Sequence, residues 1–369
     1  MKAHAPPWLH RSAIVIAAAL CSAPLAFAQT DNAAPQQFYR AHRLVSDGAL
    51  PADVTDKNLV NPWGLAFNPN AVAWVSDNGT GVSTLYDGTG APVSLVVRIP
   101  HAAVTEDGLG HPTGVVYNSS TDFVVTKGGV SGPSVFLFAG EDGSISGWSP
   151  TVDLQHAVLA LDHSTAGSVY KGLAIGGDGT QHLIYVTDFH NRRVEVYDAQ
   201  WHRINRPGAF EDSAVPMNFA PFGIQNVGGD IVVTYAKQDS DAHDDVQGPG
   251  LGMVDEFDAK GMLVRRLVTR GALNAPWGVA LAPPSFGVFG GALLIGNFGD
   301  GAINAYDAKT GSFKGTLRDA NGMALHLDGL WGIAFGNGVA NQPTNVLFYA
   351  AGPNGEADGA YGTIRAASR

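Results

Sequence analysis

The apolar and polar positions of this chain follow one pattern that returns six times. Each copy opens with a residue that is aromatic in four of the six, then glycine, then a short run of alternating apolar side chains. The copies are Asn61-Pro-Trp-Gly-Leu-Ala-Phe67, His111-Pro-Thr-Gly-Val-Val-Tyr117, Tyr170-Lys-Gly-Leu-Ala-Ile175, Pro221-Phe-Gly-Ile-Gln225, Pro276-Trp-Gly-Val-Ala-Leu281 and Leu330-Trp-Gly-Ile-Ala-Phe335. Their glycines recur at intervals of roughly 50 to 58 residues. Self-similarity at such a period marks a stacked or radial array of one supersecondary unit.

The third copy spells out the unit. Gly172 to Ile175 alternates as a first strand, and a Gly-Gly-Asp-Gly turn leads to a second at His182 to Thr187. A polar turn at 188–192 precedes a third strand, Arg193 to Asp198, with a weaker fourth at Trp201 to Asn205. Four antiparallel strands joined by short turns make a propeller blade. In the second unit the same pattern puts strands at Asp122 to Thr126 and Ser134 to Phe138. The sixth unit has Asn345 to Ala350 and Gly359 to Ala366 but no fourth strand. Phe38 to Val45, ahead of the first unit, is a spare strand that can complete it. The chain is therefore expected to be all-β: a six-bladed β-propeller with four antiparallel strands per blade, its N-terminal strand completing the last blade. Closure removes exposed sheet edges.

Composition refines the picture. The chain has 369 residues, 47 of them glycine, and only 15% of them charged. Lys2 and Arg11, the apolar run Ser12 to Leu25 and the small residues of Ala26-Phe-Ala28 have the form of a secretory leader. We expect residues 1–28 to be a signal peptide cleaved near Ala28, 29–369 to be one propeller domain, and the protein to be periplasmic or extracellular. The leader is too short to span a membrane comfortably, and no second hydrophobic segment follows, so no span is expected after cleavage. The single cysteine, Cys21, lies in the leader, so no disulfide is expected in the propeller. The net charge of −11 argues against nucleic-acid partners, which reward basic surface.

The stretch Val186-Thr-Asp-Phe-His-Asn-Arg-Arg-Val-Glu-Val-Tyr-Asp198 resembles the NHL repeat, and Pro-Trp-Gly-Val-Ala in the fifth unit matches that repeat's opening. The chain as a whole resembles a family of exported bacterial six-bladed NHL-like propellers of unassigned role. Tyr235-Ala-Lys-Gln-Asp239, His243-Asp-Asp-Val246 and Gly248-Pro-Gly250 carry most of that likeness. More distantly it is similar to regucalcin-type lactonases, streptogramin lyase and peptidyl-hydroxyglycine lyase. The lactonase resemblance implies a divalent metal in the central channel, held by a few Asp, Asn and Glu side chains.

Chemistry in a propeller is expected where first strands line the channel and second-to-third-strand turns rim its mouth. The residue before each repeat glycine is Trp63, Thr113, Lys171, Phe222, Trp277 or Trp331. Two readings stand: an aromatic collar around a flat or sugar-like ligand, or packing between blades. The second strands are expected to end at Asp77, Lys127, Asp188, Tyr235, Asn297 and Ala351. Asp77, Asp188 and Asn297 can ligate calcium or another divalent cation, or can simply accept turn N–H groups. His111, His190 and Lys237, on the same rim, are candidate acids or bases. The long acidic loop 238–249, with Asp239, Asp241, His243, Asp244 and Asp245, is expected to overhang this mouth as a metal-binding or solvated flap. The segment Leu154 to Leu161 is expected to form a short rim helix. No nucleophile motif is present. The function expected is binding of a small molecule, glycan or envelope protein at the channel mouth. The alternative is a metal-assisted hydrolase or lyase with its site there.

Overall fold

The structure, a computed structural model, describes residues 37–103, 105 and 107–368. The expected leader, 1–28, lies outside the described residues. Six antiparallel sheets follow one another along the chain, and each opens with one of the six repeat phrases. The first blade is typical: Pro62–Phe67, Ala73–Asp77, Val82–Tyr86 and Val97–Arg98 pair in that order. Each first strand neighbours the next, and Leu330–Phe335 of the sixth blade returns to Pro62–Phe67 of the first.

The repeat glycines explain this closure. A Cβ on Gly64 would meet the Thr113 carbonyl at 2.5 Å, one on Gly172 the Phe222 carbonyl at 2.9 Å, and one on Gly278 the Trp331 carbonyl at 2.6 Å. Gly114, Gly223 and Gly332 meet the backbone of the following blade in the same way, Gly332 against Trp63. Only glycine lets neighbouring first strands approach this closely, so the phrase that marks the repeat is also the contact that closes the ring.

Gln37–Ser46 pairs antiparallel with Ala360–Ser368, Phe38 lying opposite Ala367 and Ser46 opposite Ala360. The N-terminal strand therefore completes the last blade, as expected. Tyr39 fixes it further: its hydroxyl donates to the Phe286 carbonyl at 3.1 Å, and its ring packs between Phe286 and Phe289. The core is divided among clusters between blades, such as Trp74, Phe136, Phe138 and Trp148 between the first and second.

Two strand assignments need correction. In the second blade the strand paired with Pro112–Tyr117 is Phe136–Gly140, followed by Ser144–Trp148 and Val158–Asp162. The stretch expected as its second strand instead forms a separate hairpin, Val124–Lys127 against Val130–Pro133. Gly128 and Gly129, at φ 59 and 83, make the two-residue turn that defines it. Lys127 is thus not at a second-strand end; Gly140 is, opposite Pro112. Residues 158–161 of the expected rim helix belong instead to the fourth strand of this blade, Val158–Asp162. The third blade has three strands, with only an isolated Tyr197–Arg203 bridge beyond them. Among the described residues no helix is long and apolar enough to cross a membrane.

Candidate functional site

The residues before the repeat glycines converge on the axis and fill it. Trp331 stacks on Trp63 with ring centroids 3.4 Å apart and on Phe298 at 3.9 Å. Trp277 meets both tryptophans edge-on, and Phe222 lies 5.8 Å from Trp331. Phe189, Ala220, Ala236 and Ala275 complete this apolar plug. Thr113 and Phe222 are fully buried. The collar is therefore a packed floor, and only Trp63, Lys171 and Trp331 of its members face the open space above.

That space is a cavity of about 490 Å³ at one mouth of the ring. Its walls come from the turns after the second strands. Asn78 comes from the first blade and Glu141 from the second. His243, Asp244, Asp245 and Gln247 come from the long loop of the fourth, Phe298 and Asp300 from the fifth, and Glu356 from the sixth. Asp328, His326 and Asn61 enter from the segments leading into first strands.

A hydrogen-bonded chain runs round this wall through five blades. Trp331 Nε1 donates to Asn61 Oδ1 at 3.1 Å, and Asn61 Nδ2 donates to Glu356 Oε1 at 3.0 Å. Asn78 Nδ2 donates to Glu141 Oε2 at 2.7 Å. Lys171 Nζ donates to Glu141 and, at 3.1 Å, to Asp244 Oδ1, which also contacts His243 Nδ1 at 2.9 Å. The ammonium lies over the Trp63 ring, 5.3 Å from its centroid. Trp277 Nε1 donates to the Lys171 carbonyl at 2.8 Å and fixes the backbone that presents it.

Lys171 is only 2% exposed. Burial alone would favour its neutral form, but Glu141 and Asp244 outweigh it and raise its pKa, so it is a fixed cation. Burial likewise pushes Glu141 upward, yet Lys171 and Asn78 hold it below the usual range. Asp244 is held low by its bond from His243, against some desolvation, and His243 is raised by the same bond. Asp245 differs. Burial pushes it up to about 7, opposed by Lys171 and reinforced by Glu356, and its Oδ2 has no partner among the described residues. Glu356 is raised by burial and by the nearby charge of Glu141. Asn61 and Glu356 both adopt positive φ, 45 and 69. They are two of twelve described non-glycine residues with positive φ, and asparagine enters that region more readily than most.

The other expected site residues lie elsewhere. Asp77, Asp188 and Asn297 are fully buried and none lines the cavity. Asp77 Oδ2 accepts from the Thr84 N–H at 2.9 Å. Asp188 accepts from Val169 N–H, Ser168 and Asn191 and pairs with Arg193. Asn297 donates to the Ala272 carbonyl at 2.8 Å and to Asp300 at 3.0 Å. Each spends its side chain on bonds within its own blade, so the three form no common ligand set. The physical reason is strand alternation. The residue opposite each first-strand start faces into the blade, and its successor faces the axis. Those successors, Asn78, Glu141 and Phe298, are cavity residues that the sequence reading missed by one position or, for Glu141, by the misassigned strand. His111 pairs with Asp107 at 3.0 Å, His190 is exposed, and Lys237 sits within its strand; none of them lines the cavity. Asp300, Asp328 and Glu356 lie in turns without periodicity and left no sequence signal.

The fold and this mouth define a six-bladed β-propeller with an acidic axial cavity. No family model matches the chain. It is 31% identical over 332 residues to uncharacterized protein R648 of Acanthamoeba polyphaga mimivirus, covering 88% of this chain and 80% of that one. To uncharacterized protein L690 of the same virus it is 32% identical, covering 80% and 78%. The chain belongs to the family of these proteins, whose matched members are viral rather than the bacterial kin expected and have no stated role. A structural-genomics protein of unknown function from Bacteroides thetaiotaomicron superposes with a TM-score of 0.57 at 10% identity, over 90% of this chain and 77% of that one. A glucose dehydrogenase superposes at 0.51 and 14% identity, over 89% and 100%. At such identities the likeness is one of fold.

Proposed function

We propose that this chain is an exported ligand-binding propeller whose site is the acidic axial cavity. The observation that carries the reading is Lys171, a buried ammonium clamped between a carboxylate from the second blade and one from the fourth-blade loop. A buried ion pair is a poor way to stabilise a fold, since packed apolar residues serve as well or better. Its position at the convergence of the blades supports a task at that place. The ligand is a small polar molecule or a polar group on a glycan or protein. A thermal-shift screen of the full chain tests this: a ligand of the native state raises the melting point. The reading expects a hit on the native chain that is lost in Lys171→Met. A hit retained in that variant, or none across a broad polar library, overturns it. Export rests on the leader pattern at 1–28 and is tested by N-terminal sequencing of secreted material, expected to begin near Gln29.

One observation favours a second reading, a metal-assisted hydrolase or lyase. Glu141, His243 and Asp244 each offer a ligand atom, all within 4.8 Å of one another. As arranged, they do not fit a divalent ion. Lys171 is bonded to two of the three donors, and its charge would oppose the ion. No reaction step is therefore derived through a metal. Elemental analysis of protein purified without chelator discriminates the readings, since stoichiometric calcium lost in Glu141→Gln would favour the enzyme.

A further inference from the structure

We propose that the axial cavity takes an organic cation, a protonated amine or a guanidinium group, whether on a free small molecule or on a lysine or arginine side chain of a partner. This rests on the ligand-binding reading above and specifies its chemistry.

The first argument is charge. Six carboxylates line the cavity (Glu141, Asp244, Asp245, Asp300, Asp328 and Glu356) against one lysine and two histidines, His243 and His326. Lys171 is already committed to Glu141 and Asp244. That leaves four acids with no cationic partner among the described residues, Asp245 and Glu356 half-buried in the wall and Asp300 and Asp328 exposed at the mouth. The second argument is an orphan. Asp245 Oδ2 is a buried acceptor with no donor, and leaving such an atom unmade is costly to the fold. That oxygen has almost no surface open to the cavity as it stands, so an N–H donor brought by a ligand would satisfy it once the loop yields. Asp245 also lies on the long loop next to Asp244, so one cation can touch both the loop and the ring.

The third argument separates a cation from a sugar. Stacked sugars need an open aromatic face. Trp331 has one face on Trp63 and the other on Phe298, and the Trp63 ring carries Trp331 and the Lys171 ammonium. Neither tryptophan offers a free face, which counts against the sugar-binding collar expected from the sequence. The same grouping shows how the site holds an alkylammonium. Lys171 is one, seated over an indole and clasped by two carboxylates, and a second would meet Phe298 and the carboxylates on the opposite wall by the same chemistry.

Isothermal calorimetry on the purified full chain tests this, with 1,4-diaminobutane for a free amine, Nα-acetyl-lysine methylamide for a protein side chain, and 1,4-butanediol as the uncharged match. The expectation is that one or both amines bind, and that the diol binds at least roughly tenfold more weakly, about 1.4 kcal/mol. The amine affinity should also fall at least roughly tenfold in Asp245→Asn/Glu356→Gln. Preference for the diamine over the lysine derivative indicates a free ligand, and the reverse indicates a partner's side chain. Equal binding of diol and amine, no amine binding at millimolar concentration, or calcium chloride binding in the amines' place overturns the proposal. The diol comparison uses the native chain alone, so it stands even if the double variant fails to fold. If amines fail while a neutral or anionic compound binds and requires Lys171, the ligand-binding reading survives and the charge preference falls. If nothing of any class binds, both fall.

Discussion

At the scale of single residues, the buried charges here have opposite consequences. Lys171, Glu141 and Asp244 satisfy one another, and removing one partner strands the rest. Breaking a buried pair costs about 3–5 kcal/mol. Lys171→Met, which keeps the aliphatic stem over Trp63, is expected to destabilise the chain by an amount near the lower end of that range, because Glu141 remains partly accessible; urea denaturation measures it. Asp77 is the contrary case. It is fully buried with one oxygen unpartnered, and burial raises its pKa well above the ordinary value, aided by Asp56 and countered by Thr84. Its folded form therefore holds a proton that the unfolded chain releases near pH 4. The sign follows from linkage. Where the folded state binds more protons, stability falls as pH rises, from the unfolded pKa up to the folded one. Asp77→Asn keeps an acceptor for the Thr84 N–H and removes this titration. Its advantage in melting temperature over the native chain should grow as the pH rises above about 4. A difference that does not change with pH would refute a protonated Asp77.

Among the strands, the ring is held by close approach. Gly278→Ala would set a methyl against the Trp331 carbonyl of the next blade, at 2.6 Å from a backbone atom that cannot turn aside. Overpacking of this kind costs about 1–3 kcal/mol and sometimes more, and equilibrium unfolding reads it directly. The same glycines made the architecture legible from sequence, because a phrase required at every blade contact repeats at every blade. The strand Phe38 to Val45 was legible for a related reason: the sixth unit lacked one strand and the chain offered one to spare. The second blade was not. Val124–Lys127 and Val130–Pro133 have the apolar alternation of blade strands, and only the Gly128-Gly129 turn between them signals a self-contained hairpin. That displacement concealed Glu141. Asn78 and Phe298 were hidden more subtly. Register shifts occur at the collar residue of the blades, between Pro62 and Leu65 or Pro276 and Gly278, so a count along one strand does not say which neighbour on the next faces the axis. Lys171, by contrast, stood out because it was the one charged residue in a largely aromatic series, and the loop bearing Asp244 because it exceeded the repeat.

For the molecule as a whole, the axis is a wall between two unlike mouths. The cavity side is acidic, whereas the far mouth has an uncharged lining, with Leu65, Phe67, Val115 and Tyr117 beside Gln225 and Asn226, around a smaller recess of about 220 Å³. Between them the aromatic plug draws from several blades. Trp63 comes from the first, Phe222 from the fourth, Trp277 and Phe298 from the fifth, and Trp331 from the sixth. Without cysteine in the propeller, cooperativity rests on such shared packing and on the strand that closes the last blade. Truncating a buried tryptophan costs about 3–5 kcal/mol in a core that relaxes only partly. Trp331→Ala should therefore lower the denaturant midpoint by an amount in that range. It should do so as one transition, because the lost contacts belong to several blades at once. Trp63→Ala removes the other half of the same stack, so the double variant should cost less than the two single losses added together, a coupling that distant sites do not show. Additive losses, or a biphasic transition in which some blades unfold before others, would mean that the plug merely fills space and that the blades are held by their pairwise seams alone.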